Sequence, residues 1–132
     1  MPQPKSVAEA KAIHGVHAAS LTPYERAIVN KLHGLVCSEF KCNEANLFGI
    51  FAFERDKSAC AALAYLLEKY SNLKAARPWI ATYLWCSLDE VHVHIAHAEQ
   101  LVLQEPEGVF AVRVQRVWNQ ASTHATLTQQ AS

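Results

Sequence analysis

The stretch that decides the fold class is SLDEVHVHIAHAEQLV, residues 87–102, because it combines a helix start signal with the spacing of a helical face. Ser87 is followed three residues later by Glu90, the capping-box arrangement in which each side chain satisfies a backbone N–H of the other residue. Apolar residues then recur at intervals of three and four, as on one face of an α-helix. This face carries Val91, His94, Ile95, Ala98, Leu101 and Val102. The stretch therefore predicts an amphipathic helix.

Three histidines in this stretch raise the question of metal or nucleotide chemistry. In a strand, His92 and His94 would resemble the metal-binding pair of rolling-circle nucleases, and His97 would nearly complete the motif of nucleotide-binding histidine-triad proteins. Such a nuclease usually has a nucleophilic tyrosine downstream, whereas no tyrosine follows Tyr83 in this chain. In the predicted helix, His94 points into the core, His97 lies at the edge of the apolar face and His92 lies on the other flank. Three side chains so arranged cannot bind one metal ion, so we predict no metal site here.

No other motif indicates catalysis. The four cysteines include no C-x-x-C pair, and the chain has neither a glycine-rich phosphate loop nor a G-x-S-x-G nucleophile motif. Cys60 falls on an apolar helical face, which predicts a small core residue. We therefore expect no enzymatic activity, no cofactor and no metal ion.

Two further helices are predicted upstream of this stretch. Residues 22–25, TPYE, form a capping box with Pro23 in the first turn, and the helix that they open should end near Lys41. Ser58 is predicted to cap the second helix. Its apolar face carries Cys60, Leu63, Ala64 and Leu67.

The C-terminal part contains an ambiguous segment. Pro78 is expected in the first turn of a short helix over residues 79–86, and EPEG at residues 105–108 should end the helix that Ser87 opens. Residues 109–118, VFAVRVQRVW, fit both helical spacing and the alternation of a strand. A lone strand would have no partner elsewhere in the chain, which favours a helix.

Together these elements predict an all-α fold, a compact multi-helix domain. The expected divisions are an N-terminal helix or arm over residues 1–21, a single helical domain over residues 22–121 and a flexible tail over residues 122–132. A length of 132 residues with 51% hydrophobic residues suffices for one domain with its own core.

The chain carries no net charge, since twelve basic side chains balance twelve acidic ones, whereas a dedicated nucleic-acid binder usually has a basic excess. Charge is uneven, however: residues 41–84 carry six basic and four acidic groups, and residues 85–132 carry two and five. The sequence shows neither a signal-peptide pattern nor an apolar run of about 18 residues. We therefore expect a cytoplasmic protein with reduced cysteines and no membrane association.

Four segments within and just beyond residues 36–97 resemble one known family. They are VCSEFKCNEANLF, CAALAYLLEKYSNL, PWIATYL and VHVHIAHAEQL, and they are similar to the C-terminal, DNA-binding domain of DnaA-type replication initiators. The resemblance implies a helical domain of the Trp-repressor-like helix-turn-helix group. The positions that match are Val36, Phe40, Leu47, Ala64, Tyr65, Leu66, Leu67, Pro78, Ile80 and His94, with Arg55 and Lys57 in the family's basic loop.

The segment that recognises DNA in that family differs in this chain. Where the family has G-R-D-H-T, residues 86–90 are CSLDE, which lacks the side chains that would contact bases and phosphates. Asp89 and Glu90 suit the N-terminus of a helix, but they would repel a DNA backbone at that end. The resemblance therefore implies the fold more than DNA recognition.

Two functions follow as hypotheses. The first is a small helix-turn-helix-like accessory protein that binds DNA in replication or regulation. The residues expected to contact phosphate or approach the groove are Arg55, Lys57, Lys74, Arg77, Ser87 and His92. The second is a protein-interaction or oligomerisation module on the same helical scaffold, without DNA binding. Because interfaces favour aromatic residues, its expected contact residues are Trp79, Trp85 and Trp118.

Overall fold

The computed structural model describes residues 22–42, 57–70, 73–84 and 86–131, with side chains through residue 122. Secondary structure in these ranges consists of helices: α1 (Pro23–Phe40), α2 (Lys57–Lys69), α3 (Arg77–Leu84), α4 (Leu88–Gln104) and α5 (Val109–Ala131). The predicted all-α fold class is confirmed. None of the helices in the described ranges has the length and apolarity needed to cross a membrane. The predicted arm over residues 1–21 lies outside the described residues, as do Arg55 and Trp85.

Local signals define both ends of α1. At its start, Thr22 Oγ1 accepts the Glu25 N–H at 3.1 Å and Glu25 Oε1 accepts the Thr22 N–H at 3.0 Å, which confirms the predicted capping box. At its end, Lys41 adopts a left-handed conformation with φ of 54° and ψ of 48°. This conformation stops the helix where the sequence predicted it to end.

α2 lies at the centre of the fold and packs against each of the other four helices described. Every residue from 59 to 67 is buried except the half-buried Tyr65. A helix that is apolar on nearly all sides is stable only when other elements enclose it. Its small side chains allow the neighbouring helices to approach closely; they are Ala59, Ala61, Ala62 and Ala64.

The bounds of α2 and α3 differ slightly from the prediction. α2 begins at Lys57, so Ser58 lies in its first turn and the predicted Ser58 cap is wrong. α3 covers Arg77–Leu84 instead of residues 79–86, with Pro78 in the first turn as predicted. Sequence signals locate helix ends only to within one or two residues, because several first-turn N–H groups need no helical partner.

The predicted helices of the C-terminal part are confirmed. Ser87 caps α4, since its Oγ accepts the Glu90 N–H at 3.1 Å, and α4 ends before the turn at residues 105–108. The ambiguous residues 109–118 are helical and belong to α5. α5 continues beyond residue 121, where the flexible tail was predicted to begin, as far as Ala131.

α5 closes the bundle against the C-terminal end of α1. Phe110 meets Phe40 edge to face, with ring centroids 5.9 Å apart, and the guanidinium of Arg113 lies 5.3 Å from the centroid of the Phe40 ring. Farther along α5, Arg116 Nη1 donates to Glu39 Oε1 at 3.0 Å. Apolar, aromatic and charged contacts thus join the first and last described helices.

Replacing Ala62 with leucine should destabilise the fold, because Ala62 is fully buried in the enclosed part of α2. Overpacking of this kind typically lowers the free energy of unfolding by about 1–3 kcal/mol. Ala27→Leu is the matched control, since Ala27 is exposed on α1, and its effect should stay within about 0.5 kcal/mol. Urea denaturation measures both variants, and equal stabilities would contradict the enclosed position of α2.

Candidate functional site

Arg77, which was predicted to contact DNA phosphate, is surrounded by partners from α2 and α4. Its Nε and Nη2 donate to the two carboxylate oxygens of Glu68, with Nη2 and Oε2 3.3 Å apart. Its Nη1 donates to Nδ1 of His92 at 2.7 Å, and Glu99 Oε1 lies 3.8 Å from Nη2. Lys69 Nζ lies 3.3 Å from Glu68 Oε2 and 3.8 Å from Glu99 Oε1. We call these five residues the Glu68 cluster.

The Glu68 cluster is electrically balanced, with two carboxylates against two cations. The hydrogen bond from Arg77 lowers the pKa of Glu68 below its ordinary value of 4.5, and partial burial opposes part of this shift. The same hydrogen bond raises the pKa of Arg77. Because the Arg77–Glu68 contact is a paired, charge-assisted one, a DNA phosphate would have to compete with Glu68 for the guanidinium.

The contact with Arg77 also determines how the ring of neutral His92 is protonated. A guanidinium carries donors only, so Nδ1 of His92 must accept the hydrogen bond. The ring proton then lies on Nε2, which remains a donor. His92 is exposed on α4, and it therefore offers this donor near the protein surface.

The other residues predicted to contact DNA are dispersed. Lys57 begins α2, eleven residues before Glu68, which corresponds to about 16 Å along the helix axis. Lys74 is exposed in the link before α3 and has a φ of 49°. The hydroxyl of Ser87 serves as the α4 cap. The structure therefore brings Arg77 and His92 together and places Lys57 near the opposite end of α2.

Trp79 and Trp118, predicted to contact a protein partner, pack on neighbouring rings of the domain. Trp79 stacks on Tyr83, with ring centroids 5.1 Å apart and an angle of 12° between the planes. Trp118 meets Tyr70 edge to face, also at 5.1 Å. Both indoles are half-buried, so each stabilises the core and keeps part of its surface accessible.

Tyr83 also forms a polar contact with α1 inside the core. His33 Nδ1 and Tyr83 Oη are 2.7 Å apart, and both side chains are buried. A buried imidazole is costly unless it is hydrogen-bonded, so this contact offsets part of the cost. It joins α1 to α3 through groups whose directional requirements fix the alignment of the two helices.

Exposed apolar side chains concentrate on α4. Of the five large hydrophobic residues that are exposed in the described chain, three lie on α4 and a fourth begins α5. These four are Leu88 (41% exposed), Val93 (67%), Leu103 (81%) and Val109 (69%).

This exposed apolar surface was not predicted from the sequence, because Leu103 directly follows two residues of the predicted apolar face and resembles a continuation of it. The angular position of Leu103 on the helix could have predicted its exposure. At about 100° of rotation per residue, Leu103 lies about 120° around α4 from the buried Val91.

Two of the exposed leucines share a line along α4 with two members of the Glu68 cluster. At about 100° per residue, four exposed residues fall within an arc of about 60°: Leu88, His92, Glu99 and Leu103. We call these four residues the α4 seam. Val93 is exposed on the same helix but lies about 110° from the centre of the seam.

The three histidines of α4 point in different directions. His92 and His97 are exposed, whereas His94 is half-buried and so is less deeply placed than the sequence predicted. Among the residues with described side chains, no group of three histidine, cysteine, aspartate or glutamate side chains could hold a metal ion.

Comparisons of the chain with family models, with curated proteins and with solved structures find no match.

The lowered pKa of Glu68 predicts a contribution to stability that depends on pH. The folded state favours the charged carboxylate, so this contribution is present above the ordinary pKa of 4.5 and is lost as the pH falls through the lower folded-state value. Glu68→Gln removes the titrating group. We therefore expect the difference in free energy of unfolding between wild type and Glu68→Gln to shrink as the pH is lowered from about 6 to about 3, measured by urea denaturation.

Glu107→Gln is the control for the loss of one carboxylate, because Glu107 is exposed in the turn between α4 and α5. The expectation for Glu68 would be contradicted by a difference that grows towards low pH, or by one no larger at neutral pH than that of the control.

Proposed function

We propose that this chain is a protein-interaction module that self-associates through the α4 seam. The observation that carries the proposal is Leu103, which is 81% exposed on a helix whose other side is buried in the core. Single exposed apolar residues are common on protein surfaces. What distinguishes Leu103 is its placement relative to the other residues of the seam.

The α4 seam is complementary to itself under a two-fold rotation. Leu88 and Leu103 lie equally far from the midpoint between residues 95 and 96, and so do His92 and Glu99. An antiparallel pair of α4 helices with its axis at this midpoint would place Leu88 of one copy opposite Leu103 of the other. Such a contact, made by the same patch on both subunits, is the usual kind in homodimers.

The polar positions of the seam are complementary in the same arrangement. His92 of one copy would face Glu99 of the other, so that Nε2–H could donate to a carboxylate oxygen. Arg77 lies beside His92 and donates to its Nδ1, which leaves the Nε2–H of the neutral ring as the donor for the incoming carboxylate. The pairing thus matches apolar groups with apolar groups and donors with acceptors.

Net charge and the length of the seam set the expected strength of the dimer. The formal charge of the chain is zero, so two copies do not carry like net charges that would repel. The seam extends over only about 22 Å, which is short for a standard protein interface. We therefore expect weak self-association, with a dissociation constant on the order of 100 µM.

Leu103→Asp should abolish self-association, because it would place a carboxylate against Leu88 of the second copy. Val93→Asp is the matched control, since Val93 is 67% exposed on the same helix but lies outside the seam. Sedimentation velocity from about 10 µM to about 1 mM should show a concentration-dependent dimer for wild type and Val93→Asp, and a monomer for Leu103→Asp.

A wild-type chain that stays monomeric over this range would refute the proposal. Equal loss of self-association in Leu103→Asp and Val93→Asp would also refute the α4 seam as the interface. Circular dichroism of both variants checks that the helices are retained, as we expect for substitutions at exposed positions.

A helix-turn-helix DNA-binding protein is the second candidate function. It is favoured by the eight-residue α3, the three-residue link after it and the long α4, whose exposed N-terminal part would serve as the recognition helix. The distribution of charge counts against DNA binding, because Glu68 binds Arg77 and the exposed Asp89 and Glu90 occupy the first turn of α4. A DNA backbone at this end of α4 would meet both carboxylates.

Fluorescence anisotropy with a labelled DNA duplex separates the two functions. We expect no binding by the wild-type chain at about 50 mM salt, where non-specific phosphate contacts are strong. If DNA binding is the function instead, the wild type will bind. In that case Lys57→Ala and Arg77→Ala will each weaken binding and reduce its salt dependence by about one phosphate contact.

A further inference from the structure

The C-terminal end of α1 brings two cysteines together. The backbone N–H groups of Lys41 and Cys42 both donate to the carbonyl oxygen of Cys37, the second of them at 3.0 Å. With Lys41 in the left-handed conformation, this pattern has the six-residue closure of the Schellman motif. The side chains of the first and last residues of that closure commonly touch. In this chain those residues are Cys37 and Cys42.

The backbone hydrogen bond limits the separation of the two cysteines. The Cys42 nitrogen and the Cys37 oxygen are 3.0 Å apart. Adding about 1.5 Å to the Cα of Cys42 and about 2.4 Å to the Cα of Cys37 gives an upper limit of about 6.9 Å between the two Cα atoms, and any bend in that path shortens it. Disulfides join residues whose Cα atoms are about 4.4–6.8 Å apart. The pair therefore lies within disulfide range, or at its edge.

We propose that Cys37 and Cys42 form a reversible intramolecular disulfide when the protein meets a low-molecular-weight disulfide such as oxidised glutathione. Both side chains are half-buried and pack at the edge of the core, where a small oxidant can reach them. The modification site lies at and just after the C-terminal end of α1 and so is separate from the α4 seam. No group of three side chains that could hold a metal ion is found among the described residues.

The reaction proceeds by two thiol–disulfide exchanges. One cysteine, as its thiolate, attacks a sulfur of oxidised glutathione and releases one glutathione thiolate. The second cysteine, also as its thiolate, attacks the sulfur of the first, forms the Cys37–Cys42 bond and releases the second glutathione thiolate. Two electrons pass from the cysteines to oxidised glutathione, and the two protons that the thiols lose are taken up by the two released glutathione molecules. Reduced glutathione reverses both steps.

Peptide mapping can locate the bond, because Lys41 stands between the two cysteines. After treatment with oxidised glutathione and blocking of the remaining thiols, trypsin cleaves after Lys41 and separates residues 32–41 from residues 42–55. We expect mass spectrometry to find these two peptides joined in the wild type until they are reduced. Cys86→Ser is the matched control, since Cys86 is also half-buried, and it should keep the joined peptides.

Cys37→Ser and Cys42→Ser should each lose the joined peptides, with the remaining cysteine of the pair either blocked or carrying a glutathione adduct. Equilibrating the protein with reduced and oxidised glutathione, once in native buffer and once in urea, tests whether the folded end of α1 favours the Cys37–Cys42 bond. We expect the equilibrium constant for the bond to be at least about tenfold higher in native buffer, because only the folded chain holds the α1 end closed.

Three results would overturn the proposal. In the first, the wild type keeps both cysteines reduced after equilibration with oxidised glutathione. In the second, Cys37 or Cys42 is joined to Cys60 or Cys86 instead. In the third, the equilibrium constants in native buffer and in urea are equal, which would mean that the folded end of α1 does not favour formation of the disulfide.

Discussion

α2 is enclosed by the other four described helices, and between residues 59 and 67 only Tyr65 is partly accessible. This enclosure constrains the rest of the structure. Each surrounding helix must turn an apolar face towards α2, and α2 itself carries charged side chains only near its two ends. The Glu68 cluster lies at the C-terminal end of α2, where Glu68 and Lys69 meet side chains from α3 and α4. The position of the cluster therefore follows from the burial of the preceding helical turns.

The helix ends set by neighbouring residues could be predicted from the sequence. Thr22 and Ser87 cap the helices that they were predicted to open, because a capping hydroxyl acts on an N–H only three residues away. Ser58 was assigned wrongly because a serine is also tolerated inside the first turn, where helical N–H groups have no intrahelical acceptor. In α5, the helical spacing of the buried Val114, Val117 and Ala121 was visible in the sequence. The choice between helix and strand, however, depended on the absence of a strand partner elsewhere in the chain.

The charged contacts of the candidate site were beyond the reach of the sequence. Arg77 pairs with Glu68 from the preceding helix and approaches Glu99 from the following one, and no local rule connects residues at these separations. A basic residue in a mildly basic segment was therefore interpreted as a phosphate contact, although its charge is balanced within the fold. The packing of the aromatic residues could not be predicted from the sequence either. Trp79 and Trp118 resemble interface residues by composition, but whether an indole packs on a tyrosine of its own chain depends on tertiary packing.

The contact between α1 and α5 has a consequence for folding during translation. Phe40 is synthesised about 70 residues before its ring partner Phe110. Glu39 is synthesised 77 residues before its partner Arg116. At a synthesis rate of about 5–20 residues per second, the C-terminal end of α1 lacks its contacts with α5 for about 4–14 s. During this interval Phe40 and Glu39 lack the contacts with α5 that they make in the finished bundle. Closure of the bundle is therefore a late event in the synthesis of these residues, because it depends on α5, which is made after the other described helices.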